Sequence, residues 1–363
     1  MKQRTFKLKE FAQDISVAVK DAQLSPLKRF VGLEHYDSNE PVITRFTDTS
    51  LLSSSVKEFS ENDILIARRN VYLRRAGIVF FSGLTSGDSI VLRIYNDCED
   101  RTGIPKDDAI RIIPFILNSN DFWAYANKHA DGMNSKRISK DMLYDYEFSL
   151  PSIEEQRILA DKLWAAYRLK ESYKKLLIAT QEMVKSQFIE MFEGNKYPRL
   201  SLDNIAKEWL KGQGFKKDDI CEDGNTKCIH YGELFTKYGP VITEVASRTY
   251  VEKKKISKIG DILFPASDVT PNGLARCSML PFNDVILGGD IIVLRPKDEY
   301  SPAYLSYAIN QQTSQLLTRV NGGVVKHMSA KGLKTVEIPI PPKDKQEEYI
   351  QFAHQADKSE YYN

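Results

Sequence analysis

The chain of 363 residues carries 51 basic and 49 acidic side chains, a net charge of +2, so bulk charge alone announces no polyanion partner. Hydrophobic residues at 42 % and aromatics at 10 % exclude a disordered chain, and the length suits two domains of about 150 residues each. Cys98, Cys221, Cys228 and Cys277 are sparse and irregularly spaced, and His230 does not complete a zinc knuckle. Ordinary thiols of a reducing cytosol are expected, with no metal and no cofactor.

The N-terminus, MKQRTFKLKEFAQDI, is charged and lacks an apolar signal core. No stretch approaches the ~18 apolar residues of a membrane span, so a cytoplasmic location is expected. Apolar and β-branched runs predict strands at DILIA (63–67), AGIVFF (76–81), SIVLRI (89–94) and YEFSL (146–150). A helical stretch, NSNDFWAYANKHA (118–130), sits among them.

A long helix follows. Ser152 and Glu155 form a capping box, and Ile153 to Phe192 contains neither Pro nor Gly. Leu159, Leu163, Ala166, Tyr173, Leu177, Val184 and Met191 mark an apolar seam, interrupted by Lys170, Thr180 and Gln187. Gly194, Asn195 and Pro198 stop the helix. At 1.5 Å per residue it is a rod of roughly 60 Å that must pack against something to be stable.

The chain then repeats itself. Strands are predicted again at DILFP (261–265), DIIVLR (290–295) and VEIPI (336–340), and a helical stretch at 302–320. GDSIVLR (87–93) returns as GDIIVLR (289–295), and NDILIA (62–67) as GDILFP (260–265). FVGLEHY (30–36) is weakly echoed by IHYGELF (229–235), and Leu8 and Ala12 correspond to Leu202 and Ala206. KRISKDMLYDYEFSLPSIEEQ (136–156) aligns without a gap to KHMSAKGLKTVEIPIPPKDKQ (326–346), at an offset of 190. Lys136, Ser139, Leu143, Glu147, Pro151 and Gln156 pair with Lys326, Ser329, Leu333, Glu337, Pro341 and Gln346. Collinear blocks of this kind indicate a tandem duplication of one α+β module followed by a helix. The second helix opens on a box-like pair, Asp344 and Glu347, and has room for about 15 to 20 residues before Asn363.

Two P-x-x-x-x-Q junctions flanking matched modules, SLPSIEEQRILADKL and PIPPKDKQEEYI, resemble those of the specificity subunits of Type I restriction–modification systems. The segment WLKGQGFKKDDICEDGNTKCIHYGELFTKYG (209–239) is similar to the entry of many recognition domains of that family. The resemblance implies an α+β tandem pair of target recognition domains separated by a long helix. A short C-terminal helix would pack on the long one as a partial antiparallel coiled coil. The expected boundaries are 1–150, first recognition domain; 151–195, spacer helix; 196–341, second recognition domain; and 342–363, distal helix.

It further implies a non-catalytic subunit that binds double-stranded DNA at a bipartite target and positions methyltransferase subunits, two in number. A restriction and translocase subunit is a further expected partner, and the helices offer a route to self-association. Two tandem modules with antiparallel helices would share an approximate twofold axis matching the DNA dyad. Partner docking is expected near Glu154, Glu155, Gln156 and Leu163, and at Gln346. The competing readings are a duplicated coiled-coil scaffold that never touches DNA and a subunit of a related, non-Type-I modification system.

Loops that differ on like strands are the candidate readers. RRNVYLRR places Arg68, Arg69, Arg74 and Arg75 around Tyr72, a set suited to guanine edges or phosphate. The corresponding ASDVTPNGLAR offers Ser267, Asp268, Thr270, Asn272 and Arg276. Lys211, Lys216 and Lys217 in KGQGFKK, and Lys136, Arg137, Lys326 and His327 before the last strand of each repeat, are phosphate candidates. Solvated surface charge is the competing reading for all of these cations. No Walker loop, methyltransferase motif or Gly-rich cofactor loop is present, and VEKKK (251–255) is too common a combination to carry a nuclease reading.

Overall fold

The computed structural model describes residues 4–15, 17–19, 22, 25–49, 56–133, 135–194, 196–213, 215–251 and 256–361, the last five as backbone only. Asn195, Gly214 and most of VEKKK, singled out above, lie outside the described residues. Two compact units divide the chain, Met1–Glu171 and Ser172–Asn363.

Each unit is built on the same four-stranded antiparallel sheet. In the first, the order is Ala12–Asp14, Ser89–Ile94, Ile64–Ala67, Ala76–Ile78. In the second it is Ala206–Lys211, Ile291–Pro296, Asp261–Pro265, Ser278–Leu280. Ile64, Leu65, Ile66 and Ala67 are all buried because this strand is covered on both faces. The period of two sorts their side chains. Ile64, Ile66, Ile90 and Leu92 enter the larger core under the helices, while Leu65, Ala67 and Val91 enter a second core beneath another sheet. The second unit sorts Ile262, Phe264, Ile292 and Leu294 from Leu263, Ile291 and Val293 in the same way.

A two-stranded ribbon closes each unit. Arg4–Lys7 pairs with Glu147–Leu150, and Arg199–Ser201 with Glu337–Pro339. The weak echo between 30–36 and 229–235 marks a shared parallel pairing, Phe30 opposite Leu84 and Ile229 opposite Leu287. The outer sheets otherwise diverge, with five strands in the first unit and four in the second among the described residues.

The duplication extends to buried polar contacts. Asp63 accepts from Arg93 Nε and Nη2 at 2.7 Å each, and Asp261 from Arg295 Nε and Nη2 at 2.8 Å each. Each carboxylate also accepts a backbone N–H three residues upstream, from Ser60 and Lys258. Satisfied on all sides, these carboxylates can stay ionised while buried. Gln156 and Gln346, both buried, donate from Nε2 to the carbonyls of Pro151 and Pro341 at 2.9 and 2.8 Å. The proline-to-glutamine spacing therefore ties strand end to helix start in both repeats.

The long helix spans Ile153–Phe192. At its start Ser152 N donates to Glu155 Oε2 at 3.2 Å and Glu155 N to Ser152 Oγ at 3.4 Å, completing the capping box. Its first half lies on the first unit through Trp164, whose Nε1 donates to Arg111 O at 2.9 Å and whose ring meets Phe115 edge-on. In the second unit Val184, Phe188 and Phe192 are buried beside Tyr349, Ala353 and Ala356 of the terminal helix, Lys343–Tyr361. Tyr349 packs on Phe188 and Phe192, whereas Ala356 lies by Thr180, Gln181 and Val184, so the two helices run antiparallel there. The terminal helix does not use the predicted box: it starts at Lys343, placing Asp344 inside its first turn, and Pro342 O accepts from Lys345 and Gln346.

Candidate nucleic-acid interface

In the first unit RRNVYLRR is a tight loop closing the hairpin after Ile64–Ala67. Asn70 and Arg74 take left-handed backbone conformations, φ 55° and 51°, on either side of a 3-10 turn, Val71–Leu73. Val71 is buried and anchors the turn, which leaves Tyr72 61 % exposed at its tip. The loop is laced to the second cationic segment. Asn70 N donates to Lys136 O at 2.7 Å, and Ile138 N to Arg68 O at 3.0 Å. Arg69 Nε donates to Ser135 Oγ at 2.9 Å, and Asp88 faces both Arg69, at 3.5 Å, and Arg137, at 3.8 Å. Arg68, Arg69, Tyr72, Lys136 and Arg137 thus share one edge of the unit.

The flanking arginines are partly engaged. Arg74 Nη1 donates to Asn120 Oδ1 at 2.9 Å, and Arg75 donates to the carbonyls of Leu33 and Arg69 at 3.0 Å each. Burial lowers the Arg75 pKa below its ordinary value. Arg75 holds the loop in shape, and the outward cations are its neighbours.

The second unit repeats the lacing with different side chains. Met328 N donates to Ala266 O at 3.0 Å, and Ser267 Oγ lies 3.2 Å from His327 Nδ1. Asp268 pairs in register with Lys326 but spends its carboxylate locally, accepting from Val269 N and Thr270 Oγ1 at 2.7 Å each. Thr270 caps the short helix Pro271–Leu274, and Asn272 on that turn is exposed. Arg276 Nη1 donates to Phe235 O at 3.2 Å. Lys326 Nζ donates to Gly322 O at 2.9 Å.

Lys211 ends its strand exposed, at the rim of a hollow lined also by Ala266 and Met328, so it joins the Ser267–His327 edge. Gly212 is required behind it, because a Cβ there would lie 1.9 Å from Gly288 O. Lys216 and Lys217 are exposed beyond that turn, where Asp219 Oδ2 accepts from Lys216 N at 2.6 Å.

Sequence reasoning passed over Asp88, which braces the two arginines, and the Asp–Arg pairs beneath. The signal was present in the repeated GD of GDSIVLR and GDIIVLR: Asp88 O and Asp290 O accept from Arg68 N and Ala266 N at 3.0 and 2.8 Å. No group of metal-ligating side chains occurs among the described residues, nor does any described helix suffice in length and apolarity to cross a membrane.

On the partner side, Glu154 is exposed, Glu155 is engaged in its capping box, and Gln156 is buried in the junction. Leu163 lines an apolar groove of about 520 Å³ in the first unit, together with Ile112, Phe115, Leu150, Leu159 and Ala166. Gln346 is buried in the second junction.

Residues 201–360 match the family model of the Type I restriction modification DNA specificity domain. That match covers the second module and most of the terminal helix, and it agrees with the resemblance of the two junctions to those of the specificity subunits of Type I restriction–modification systems. The solved Type I restriction–modification S subunit from M. genitalium shares its fold, at a TM-score of 0.57 and 12 % identity over 99 % of this chain and 90 % of that one. The HsdS subunit from Thermoanaerobacter tengcongensis is also similar, with a TM-score of 0.38 and 16 % identity over 98 % of this chain and 89 % of that one. None of the curated proteins matches the chain.

Proposed function

We propose that the subunit reads a split DNA target with two heads, residues 1–150 for one half and 196–341 for the other. The helices at 151–195 and 342–363 set the gap and carry two methyltransferase subunits, with the restriction subunit joining when DNA is to be cut. The chain itself supplies recognition and no catalysis. One observation carries this reading: the same strand-and-lacing scaffold presents Arg68, Arg69, Tyr72 and Arg137 in one unit and Ser267, Asn272 and His327 in the other. A scaffold kept while its outward chemistry changes is what two readers of unlike half-sites require. Lys136, Lys211, Lys216, Lys217 and Lys326 then serve phosphates, which orient the heads without reading sequence.

Methyltransferase docking is supported by the groove in the first unit. Its residues Leu159, Leu163 and Ala166 stand 190 positions before Tyr349, Ala353 and Ala356, which the second unit buries under Val184, Phe188 and Phe192. A partner helix with large apolar residues four apart fits such a surface. Leu177, exposed further along the helix, continues the seam of Leu159, Leu163 and Ala166.

The test is a gel shift of the subunit with its methyltransferase on duplex DNA across a salt series. Affinity should fall linearly on a log–log plot, with a slope of about −0.9 per phosphate contacted. Absence of binding, or binding indifferent to salt, would favour a scaffold that never touches DNA.

A further inference from the structure

A second pair of matched loops stands beside the candidate readers. Asp131 to Arg137, of which Asn134 lies outside the described residues, and Asn321 to His327 are paired at their ends as hairpins, at the same offset of 190. Each is closed by reciprocal backbone bonds: Asp131 N to Arg137 O at 3.0 Å and back at 2.8 Å, Asn321 N to His327 O at 3.0 Å and back at 2.7 Å. Gly132 and Gly322 turn them with φ 117° and 109°, and a Cβ there would strike the carbonyls of Ser135 and Val325 at 2.8 and 2.3 Å. Both turns are therefore built to a fixed shape.

Their tips are apolar. Met133 is 100 % exposed, Val324 90 % and Val325 45 %. One exposed apolar side chain needs no explanation. Here two such tips stand one position apart in register, in both copies, among polar loop residues. Each is also bound to the loop that differs between the units, through Arg137 beside Arg69 and His327 beside Ser267.

We propose that these tips contact the bases of the bound duplex, resting on the DNA-reading function of the two units. The lysine at each hairpin base, Lys136 or Lys326, would lie along a phosphate, which brings the tip to the groove beside it. An apolar side chain there meets a thymine methyl or wedges between base steps. Met133 and the pair Val324–Val325 thereby add a discriminating contact that does not depend on salt.

The experiment uses Met133→Ser and the double variant Val324→Ser/Val325→Ser, each bound to the methyltransferase. Binding is measured on a duplex carrying the site found by sequencing methylated bases, and on a scrambled duplex, over a salt series. Each variant should lose roughly ten-fold in affinity for the site, with scrambled binding and salt slope unchanged. Unchanged site affinity, or equal loss on both duplexes, overturns the proposal. Replacing thymine by uracil, or placing 2-aminopurine in the half-site, distinguishes methyl contact from wedging; silence from both probes also overturns it. A wild-type complex that binds neither duplex would instead bring down the DNA reading itself.

Discussion

The two units hold the same junction and differ in what lies against it. In the second, the terminal helix buries Tyr349 and Ala353 completely under the end of the long helix. In the first, Leu159 and Leu163, at the same places in the repeat, line an open groove, and Leu159 is 42 % exposed. The reading edges make the same point: one scaffold, guanidinium-rich on one copy and hydroxyl-rich on the other. Duplication supplied the frame, and the frame can be tested apart from what it carries.

The largest effect should come from the frame. Asp63→Ala and Asp261→Ala each remove a buried carboxylate from an arginine and a backbone N–H, with Glu208 still beside Arg295, and each should cost its own unit about 3 kcal/mol in denaturant unfolding. A loss below about 1 kcal/mol at either would mean the two pairs are not equivalent supports.

Next comes the asymmetry of the helix junction. Tyr349→Ala empties a sealed aromatic site and should cost about 3 kcal/mol, whereas Leu159→Ala should cost less than about 1 kcal/mol in the free subunit. The difference should shrink once the methyltransferase is bound, which differential scanning with and without the partner would read. Smaller still, Gln156→Ala and Gln346→Ala each remove a buried hydrogen bond to a proline carbonyl and should cost about 1 kcal/mol. Unequal costs here would show that the two junctions have drifted in role.

Much of this was legible in the sequence because repetition is a tertiary signal that needs no structure. The strand runs, the long helix with its Ser152–Glu155 box and the gap-free alignment of 136–156 with 326–346 all stand in the folded chain. Pairing of distant loops was not legible. That Arg69 would lie against Arg137, or Ser267 against His327, depends on hydrogen bonds between segments about 60 residues apart. Arg75 and Arg276 looked like outward cations, yet both donate to backbone carbonyls, an assignment that only loop geometry decides. The box at Asp344 misled because Pro342 supplies the first helical acceptor two residues earlier.

The central claim is that each unit reads its own half of the target. Sequencing methylated bases in a host expressing the subunit with its methyltransferase tests it most directly, for wild type and for variants with residues 68–75 or 267–272 replaced by alanine. The account predicts that each variant alters methylation at one half-site, a different half for each, and leaves the other half intact. Variants that change both halves together, or neither, would contradict it.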